Sequence, residues 1–423
     1  MRLTNGSRVV IVGGGPAGSF AALHLLRFAE ESGLTLEVRI LEPRDFSRPG
    51  PGGCNKCAGI ISSQLARDLE TLGLNLPDEI VQAELDTYIL HLDKTELQIH
   101  RPDSGRHIMS IYRGGGPRLG VRPFPKTFDG WLLDQAKERG AIIQRAVVRS
   151  IQPGTRPLVI TAQESIEADL VILATGVNSR PPLDPAWGYR PPRTEIMAQD
   201  EIMIPAEFRD HSVHVYFDHP PGLIFGALIP KGRYANISLL GRHLPPGAVG
   251  DFLDGNGVSV LFPEGLHRLC GCAPHVAVTA ARGYFADRMV AVGDAAVTRL
   301  YKNGIGMAFI TARAAAQTAI QRGVSRRDFA RGYAPVCRGI AVDNFYGRLL
   351  FSLWGITRRI PFLLRAWEKA VAAEISQPPQ RQAHIRILWG MFSGDEPYRR
   401  LFGISLSRSA LMNILKNLRN KHR

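Results

Sequence analysis

The opening stretch "RVVIVGGGPAGSFAALHLLRFAEESG" passes from a short apolar run, through glycines, into a segment whose apolar positions recur at Phe20, Leu23, Leu26 and Ala29. That change of period predicts a buried strand, a tight turn and an amphipathic helix, and the following "LEVRILE" predicts the second strand of a βαβ unit. Two later stretches, "AELDTYILHLDKTELQIHR" and "HSVHVYFDHPPGLIFGALIPKGRYANISLLGR", alternate apolar and polar residues as strands do. They are expected to form a separate antiparallel sheet. Between them, "FPKTFDGWLLDQAKERGAIIQRAVV" predicts a helix and a strand returning to the first unit. "SIEADLVILATGVNSR" adds a strand ending in Ala174-Thr175-Gly176, and "RMVAVGDAAVTRLYKNGIGMAFITARAAAQTAI" adds a strand, a loop and an alanine-rich helix.

The glycines of the first turn have the spacing Gly13-x-Gly15-x-x-Gly18, with Pro16 and Ala17 between the last two, at the point where strand becomes helix. Glycine there permits a tight turn and close approach of a pyrophosphate, whose charge the helix N-terminus favours. Glu42 closes the second strand, where a carboxylate can accept from the ribose hydroxyls of an adenosine, with Arg44 beside it. Strand, helix, strand and acid in this order predict dinucleotide binding. "YRGGGPRLG" also carries glycines, but its proline and its lack of a strand-to-helix context make it a loop.

Composition narrows the class. A chain of 423 residues with 45% hydrophobic and 21% charged side chains is globular and long enough for two or three domains. No charged segment followed by a long apolar stretch opens the chain, so a cytoplasmic protein is expected. Five cysteines at irregular spacing do not read as a disulfide framework. The net charge of +14 calls for an anionic partner, yet zinc-finger spacing, RNA-binding aromatics and long Lys/Arg blocks are missing, which argues against nucleic acid. Much of the excess lies in "FYGRLLFSLWGITRRIPFLLRAWEKAV" and "HIRILWGMFSGDEPYRRLFGISLSRSALMNILKNLRNKHR", where aromatic and aliphatic residues interleave with Arg and Lys at helical spacing. Neither segment has the apolar length of a spanning helix. Two readings stay open for them: an interfacial helix pair at a membrane surface, or an amphipathic cap packed on the core.

The ordered set Gly13-x-Gly15-x-x-Gly18, Glu42, the Ala174-Thr175-Gly176 strand end and Gly293-Asp294-Ala295-Ala296, followed by Gly304-Ile305-Gly306-Met307, resembles the FAD-binding domain of the p-hydroxybenzoate hydroxylase superfold. Within it the chain resembles the geranylgeranyl reductase family over residues 1 to about 335. The resemblance implies an α/β fold: a Rossmann-type FAD-binding domain (1–78, 125–182 and 280–335), an antiparallel β-sheet substrate domain (79–124 and 183–279) and a basic amphipathic helical C-terminal region (336–423). Asp294 is then expected to accept from a ribityl hydroxyl. The helix opened by Gly304 and Gly306 would favour the negative charge of a reduced flavin at its N1/O2 edge.

The loop "PGGCNKCAG" follows the second strand directly. In geranylgeranyl reductases a loop there carries a cysteine followed by two small residues, which Cys57-Ala58-Gly59 matches, and the resemblance assigns Cys57 the role of steering a substrate alkene or relaying a proton. Three other readings remain: a Cys54/Cys57 redox couple, a metal set of Cys54, Cys57, Cys270 and Cys272, or small buried hydrophobes.

The implied reaction is reduction of an isoprenoid double bond in a prenyl lipid or prenyl diphosphate, with hydride from flavin N5 and a proton from the protein. The chain departs from the family's YxWxFP pattern: "IFGALIP", Ile224 to Pro230, keeps the proline and lacks the tyrosine and tryptophan. It equally lacks the WxWxIP tryptophans of flavin halogenases. A wider aliphatic pocket is expected, suited to a long prenyl tail. An aromatic monooxygenase and a membrane-surface electron relay to quinone are the alternatives. No second dinucleotide fingerprint is present, so the electron donor is left between NAD(P)H and a docking ferredoxin.

Overall fold

The computed structural model describes residues 1–54, 58–92, 95–121, 123–124, 126–205, 211–261 and 266–419. Its central sheet has six strands in the order Phe285–Ala286, Met289–Ala291, Leu170–Leu173, Arg8–Val12, Glu37–Leu41 and Ile142–Gln144. All are parallel except the outer hairpin of Phe285–Ala286 on Met289–Ala291. Parallel strands need covering on both faces, which is why Arg8–Val12 and Leu170–Leu173 are apolar almost throughout. The helices Pro16–Glu31 and Gly304–Gln321 cover one face side by side, with Phe20 set edge-on to Phe309 at 5.2 Å. Alanines 312, 315, 316 and 319 are buried along the second helix and allow this close packing.

The sheet expected to carry the substrate, the substrate-side sheet, also has six strands, ordered Ala198–Met203, Tyr234–Gly241, Leu223–Lys231, Ser212–Tyr216, Thr87–Leu92 and Thr95–His100. It is antiparallel at every join but one, where Ser212–Tyr216 lies parallel to Thr87–His91. The strand Val81–Leu85, expected in this sheet, instead joins Ile108–Ile111 and Ile60–Ser62 in a small sheet of its own. The chain changes sheets at Asp86, whose N–H donates to the His211 carbonyl and whose own carbonyl accepts from Arg101 N.

Alternation gives the substrate-side sheet two apolar faces. Tyr216, Leu228, Ile237 and Leu239 pack on the helix Ala248–Gly255 through Phe252 and Leu253. On the other face Tyr88, Val213, Val215, Phe225, Ala227 and Ile229 meet Trp367, Trp389 and Phe392 of the C-terminal helices Pro361–Ile375 and Ala383–Ser393. These helices therefore cap the sheet with one face. Phe345, Leu353 and Ile356 of the preceding helix Ala334–Arg359 remain exposed on the outside.

His24 lies inside the first helix, 2% exposed, between the rings of Phe28 and Phe309, and neither ring nitrogen has a partner among the described residues. Burial pushes its pKa from 6.5 down to about 3, with Arg313, Arg27 and Arg139 adding to the shift. The native state thus binds fewer protons than the unfolded chain in the window between those values, and stability falls as pH drops through it. His24→Phe is expected to remove up to about 1.4 kcal/mol per pH unit from that slope, measured by urea unfolding between pH 6 and pH 4.

Candidate active site

Arg8–Val12 ends at Gly13, which has φ +104° and donates its N–H to the Leu41 carbonyl at 2.9 Å. A Cβ on Gly13 would stand 2.5 Å from the Ala174 carbonyl oxygen, and one on Gly18 only 1.8 Å from the Gly13 oxygen. Glycine is required at both because three backbone segments meet there. Gly15 caps the helix and Pro16 occupies its first turn, the position where a missing N–H costs nothing.

Glu42 is buried at the end of the second strand. One carboxylate oxygen accepts from Gly14 N at 2.8 Å and the other from Arg44 N and Nε, both at 3.0 Å. In this arrangement the acid braces the glycine turn and holds Arg44 at the mouth of a cavity of about 270 Å³.

That cavity runs from Gly15, Pro16 and Ala17 past the Ala174-Thr175-Gly176 turn to Asp294, Gly304 and Ile305. Ala58 and Ile60 form part of its side, and Val213, Val215, Phe225, Ala227 and Ile229 of the substrate-side sheet form the facing wall. The C-terminal helix Ala383–Ser393 adds Phe392 and Ser393. Most predicted cofactor residues are therefore gathered on one cavity. Gly13, Gly18, Glu42, Gly59, Gly293, Gly306 and Met307 stand behind its lining.

Apart from Glu42, whose carboxylate acts, those residues act through the backbone. Gly59, at φ +73°, lets its carbonyl accept from Ile111 N at 2.7 Å, because a Cβ would stand 2.1 Å from the Ile111 oxygen. Gly293 donates to Thr311 Oγ1 at 2.9 Å and leaves room for Ala17. Gly306 N donates to Asn303 Oδ1 at 3.1 Å, so Asn303 caps the helix Gly304–Gln321 from a left-handed conformation. Met307 N bonds the Asn303 carbonyl at 3.0 Å within the same first turn. Cys57 lies outside the described residues.

Asp294 stands at the cavity wall, where loss of hydration raises its carboxyl above the ordinary range, opposed by Thr298 and Arg113. Sequence reasoning passed over Asn303, although an asparagine directly before Gly304 is a helix-cap signal. It also gave no side-chain role to Thr175 of the Ala174-Thr175-Gly176 strand end, whose buried hydroxyl has no partner among the described residues, and passed over Arg299 and Lys302. Arg299 donates to the carbonyls of Gly394 (2.8 Å) and Glu396, and stacks 4.0 Å from the Tyr398 ring. It fastens the loop before Gly304 to the C-terminal helices.

A second cavity of about 30 Å³ gathers Cys54, Cys270 and Cys272 around Tyr112, Glu201 and Lys231. Lys231, 2% exposed, pairs with Glu201 at 3.0 Å and lies 3.9 Å above the Tyr112 ring. Cys270 Sγ accepts from Arg118 N at 3.2 Å, and burial pushes its thiol up to about 11. Among the described residues no group of His, Cys, Asp or Glu is arranged to hold a metal ion. A thiol held this firmly protonated is also poorly suited to redox exchange.

A glycine cradle at one end of the cavity, a helix N-terminus and buried acid at the other, and an unpartnered hydroxyl between them fit FAD along its length. Fold and cavity are those of a Rossmann-type domain with a site suited to a dinucleotide such as FAD.

No protein-family profile matches the chain. It is 28% identical over 340 residues to a digeranylgeranylglycerophospholipid reductase of Methanoculleus marisnigri, covering 75% of this chain and 77% of that one. Among solved structures, a geranylgeranyl bacteriochlorophyll reductase-like protein of Thermoplasma acidophilum superposes with a TM-score of 0.61 at 17% identity, over 99% of this chain and 97% of that one. A flavoprotein/dehydrogenase of Cytophaga hutchinsonii gives 0.65 at 14% identity, over 98% and 100%. A flavin-dependent brominase gives 0.61 at 15%, over 95% and 98%. These structural likenesses concern the fold. In sequence the chain is similar to a geranylgeranyl-type lipid reductase, and its fold is one that flavin-dependent enzymes share.

Gly18→Ala would force the helix away from Gly13. Purified protein carrying it is expected to lose its flavin absorbance, with affinity at least ~10-fold weaker, equivalent to about 1.4 kcal/mol or more.

Proposed function

We propose that the protein reduces isoprenoid carbon-carbon double bonds in a prenyl lipid or prenyl diphosphate. The observation that carries this reading is the continuity of the cavity, in which the cradle for the cofactor opens directly onto an apolar wall. Alternate positions Phe225, Ala227 and Ile229 face inward from one strand, and the small Ala227 leaves width for an aliphatic chain. Bound FAD, once reduced, supplies the hydride. The chain's own residues orient the lipid, exclude water and deliver the proton that an isolated alkene requires.

Cys57 enters the proposal from the family resemblance, as a residue that positions the alkene. NAD(P)H and a ferredoxin both remain in it as electron donors. The basic charge of the chain favours an acidic partner protein for the second. The helix Ala334–Arg359, with Phe345, Leu353 and Ile356 outward and the exposed Arg359 in its last turn, is proposed to rest on an anionic membrane surface. No described helix is long and apolar enough to cross a membrane.

The test is anaerobic incubation of the reduced holoenzyme with digeranylgeranylglycerophospholipid in anionic vesicles, followed by mass analysis. A gain of two hydrogens per reduced bond is expected without oxygen, with co-sedimentation on the vesicles that weakens as salt is raised. Cys57→Ser should lower the rate at least ~10-fold, the lower end expected for loss of a positioned group. Product formed only with oxygen and an aromatic compound would replace the reading by hydroxylation. Separately, Ala227→Trp should fill the widened wall and raise KM for long prenyl chains more than for short ones, by ~10-fold or more.

A further inference from the structure

The loop between Thr298 and Gly304 carries one cation into the apolar half of the cavity. Lys302 Nζ lies 4.3 Å from the ring centre of Phe225 and 5.8 Å from that of Phe392. Its Cβ rests against the turn at Gly394, where an added methyl would come within 3.2 Å. The ammonium is therefore held between the substrate-side sheet and the C-terminal helix, on the cavity wall.

The charged groups on the elements around it are engaged elsewhere. Glu396 binds Arg106, Arg386 and Arg400, and Asp395 accepts from Trp389 Nε1 and lies near Arg106. Glu195 accepts from Tyr301 Oη at 3.0 Å. Arg299 and Arg358 donate to backbone carbonyls, Arg358 to those of Phe217 and Ile224. Asp294, Arg113 and His275 line the cavity. Loss of hydration on the cavity wall lowers the affinity of Lys302 for its proton.

We propose that Lys302 is the proton donor of the reduction. One alkene carbon takes the hydride that the reduced cofactor supplies, and the π electron pair forms the second C–H bond with a proton from the Lys302 ammonium. The N–H bond electrons stay on nitrogen, leaving a neutral amine that water reprotonates after product leaves. The inference rests on the alkene-reductase reading above. The aromatic faces return part of the lost hydration and fix the ammonium without neutralising it as a carboxylate would. Burial brings the pKa down to about 8, so the donor is charged at neutral pH and gives up its proton more readily than an ordinary lysine.

The test uses full-length holoenzyme, its flavin reduced anaerobically with dithionite, mixed with digeranylgeranylglycerophospholipid. In the wild type the single-turnover rate of flavin reoxidation is expected to fall tenfold per pH unit above about pH 8. Lys302→Met should keep the flavin spectrum, lower that rate ~100-fold or more and lose the limb near pH 8. Lys302→Arg should fail to restore it, because a guanidinium does not release its proton in this range. A Lys302→Met enzyme as fast as wild type, or one that keeps the limb, overturns the assignment and leaves the reductase reading standing. A wild type that never oxidises its flavin with the lipid overturns both. Should the variant fail to fold, acetylation of Lys302 in the wild type, followed by mass spectrometry against pH, decides the point: half-reaction near pH 8 supports the donor, and half-reaction near pH 10 overturns it.

Discussion

Everything in the site depends on how closely the backbone can approach itself at the end of Arg8–Val12. A side chain at Gly18 would sit 1.8 Å from the Gly13 oxygen, one at Gly13 2.5 Å from that of Ala174, and one at Gly293 2.7 Å from Ala17. These contacts press the first helix onto the strand ends and set its distance from the helix begun at Gly304. The cavity is the space left between those two helix starts. Glu42 secures the same point from the next strand through Gly14 N.

Around that fixed point the molecule treats buried charge in three ways. Asp129, fully buried, receives both arms of Arg113 at 2.9 Å, a bidentate pair that is costly to break from one side. Lys231 has Glu201 and the face of Tyr112. Lys302 faces the rings of Phe225 and Phe392 and, among the described residues, pairs with no acid. The first two arrangements serve structure. The third leaves on the cavity wall an ammonium that gives up its proton more readily than an ordinary lysine.

The glycine turns and strand ends were legible in the sequence because each is a local constraint: a φ near +100° or a backbone contact leaves its mark at the residue itself. The pairing of Val81–Leu85 with Ile108–Ile111 was not, because alternation identifies a strand without naming its neighbour. The parallel join at Ser212–Tyr216 is hidden for the same reason. Lys302 reads as an ordinary loop lysine until Phe225 and Phe392, distant in the chain, are brought beside it. Of the cysteines whose spacing suggested joint chemistry, Cys270 is a hydrogen-bonded thiol whose pKa loss of hydration raises, and Cys57 lies outside the described residues. Asn303 could have been found, since cap residues do declare themselves in sequence.

The C-terminal helices were readable as amphipathic, but the destination of their apolar face was not. Arg299 and Asn303 both donate to the Gly394 carbonyl, and Phe392 closes the cavity beside them. During synthesis the segments that cradle the cofactor therefore emerge well before the wall that shields it. A nascent chain reaching Gln321 has its glycine turns and both helix starts, yet the chamber stays open to water until the segment around Phe392 has been made. Enclosure of the site thus waits on a segment synthesised well after the cradle it covers.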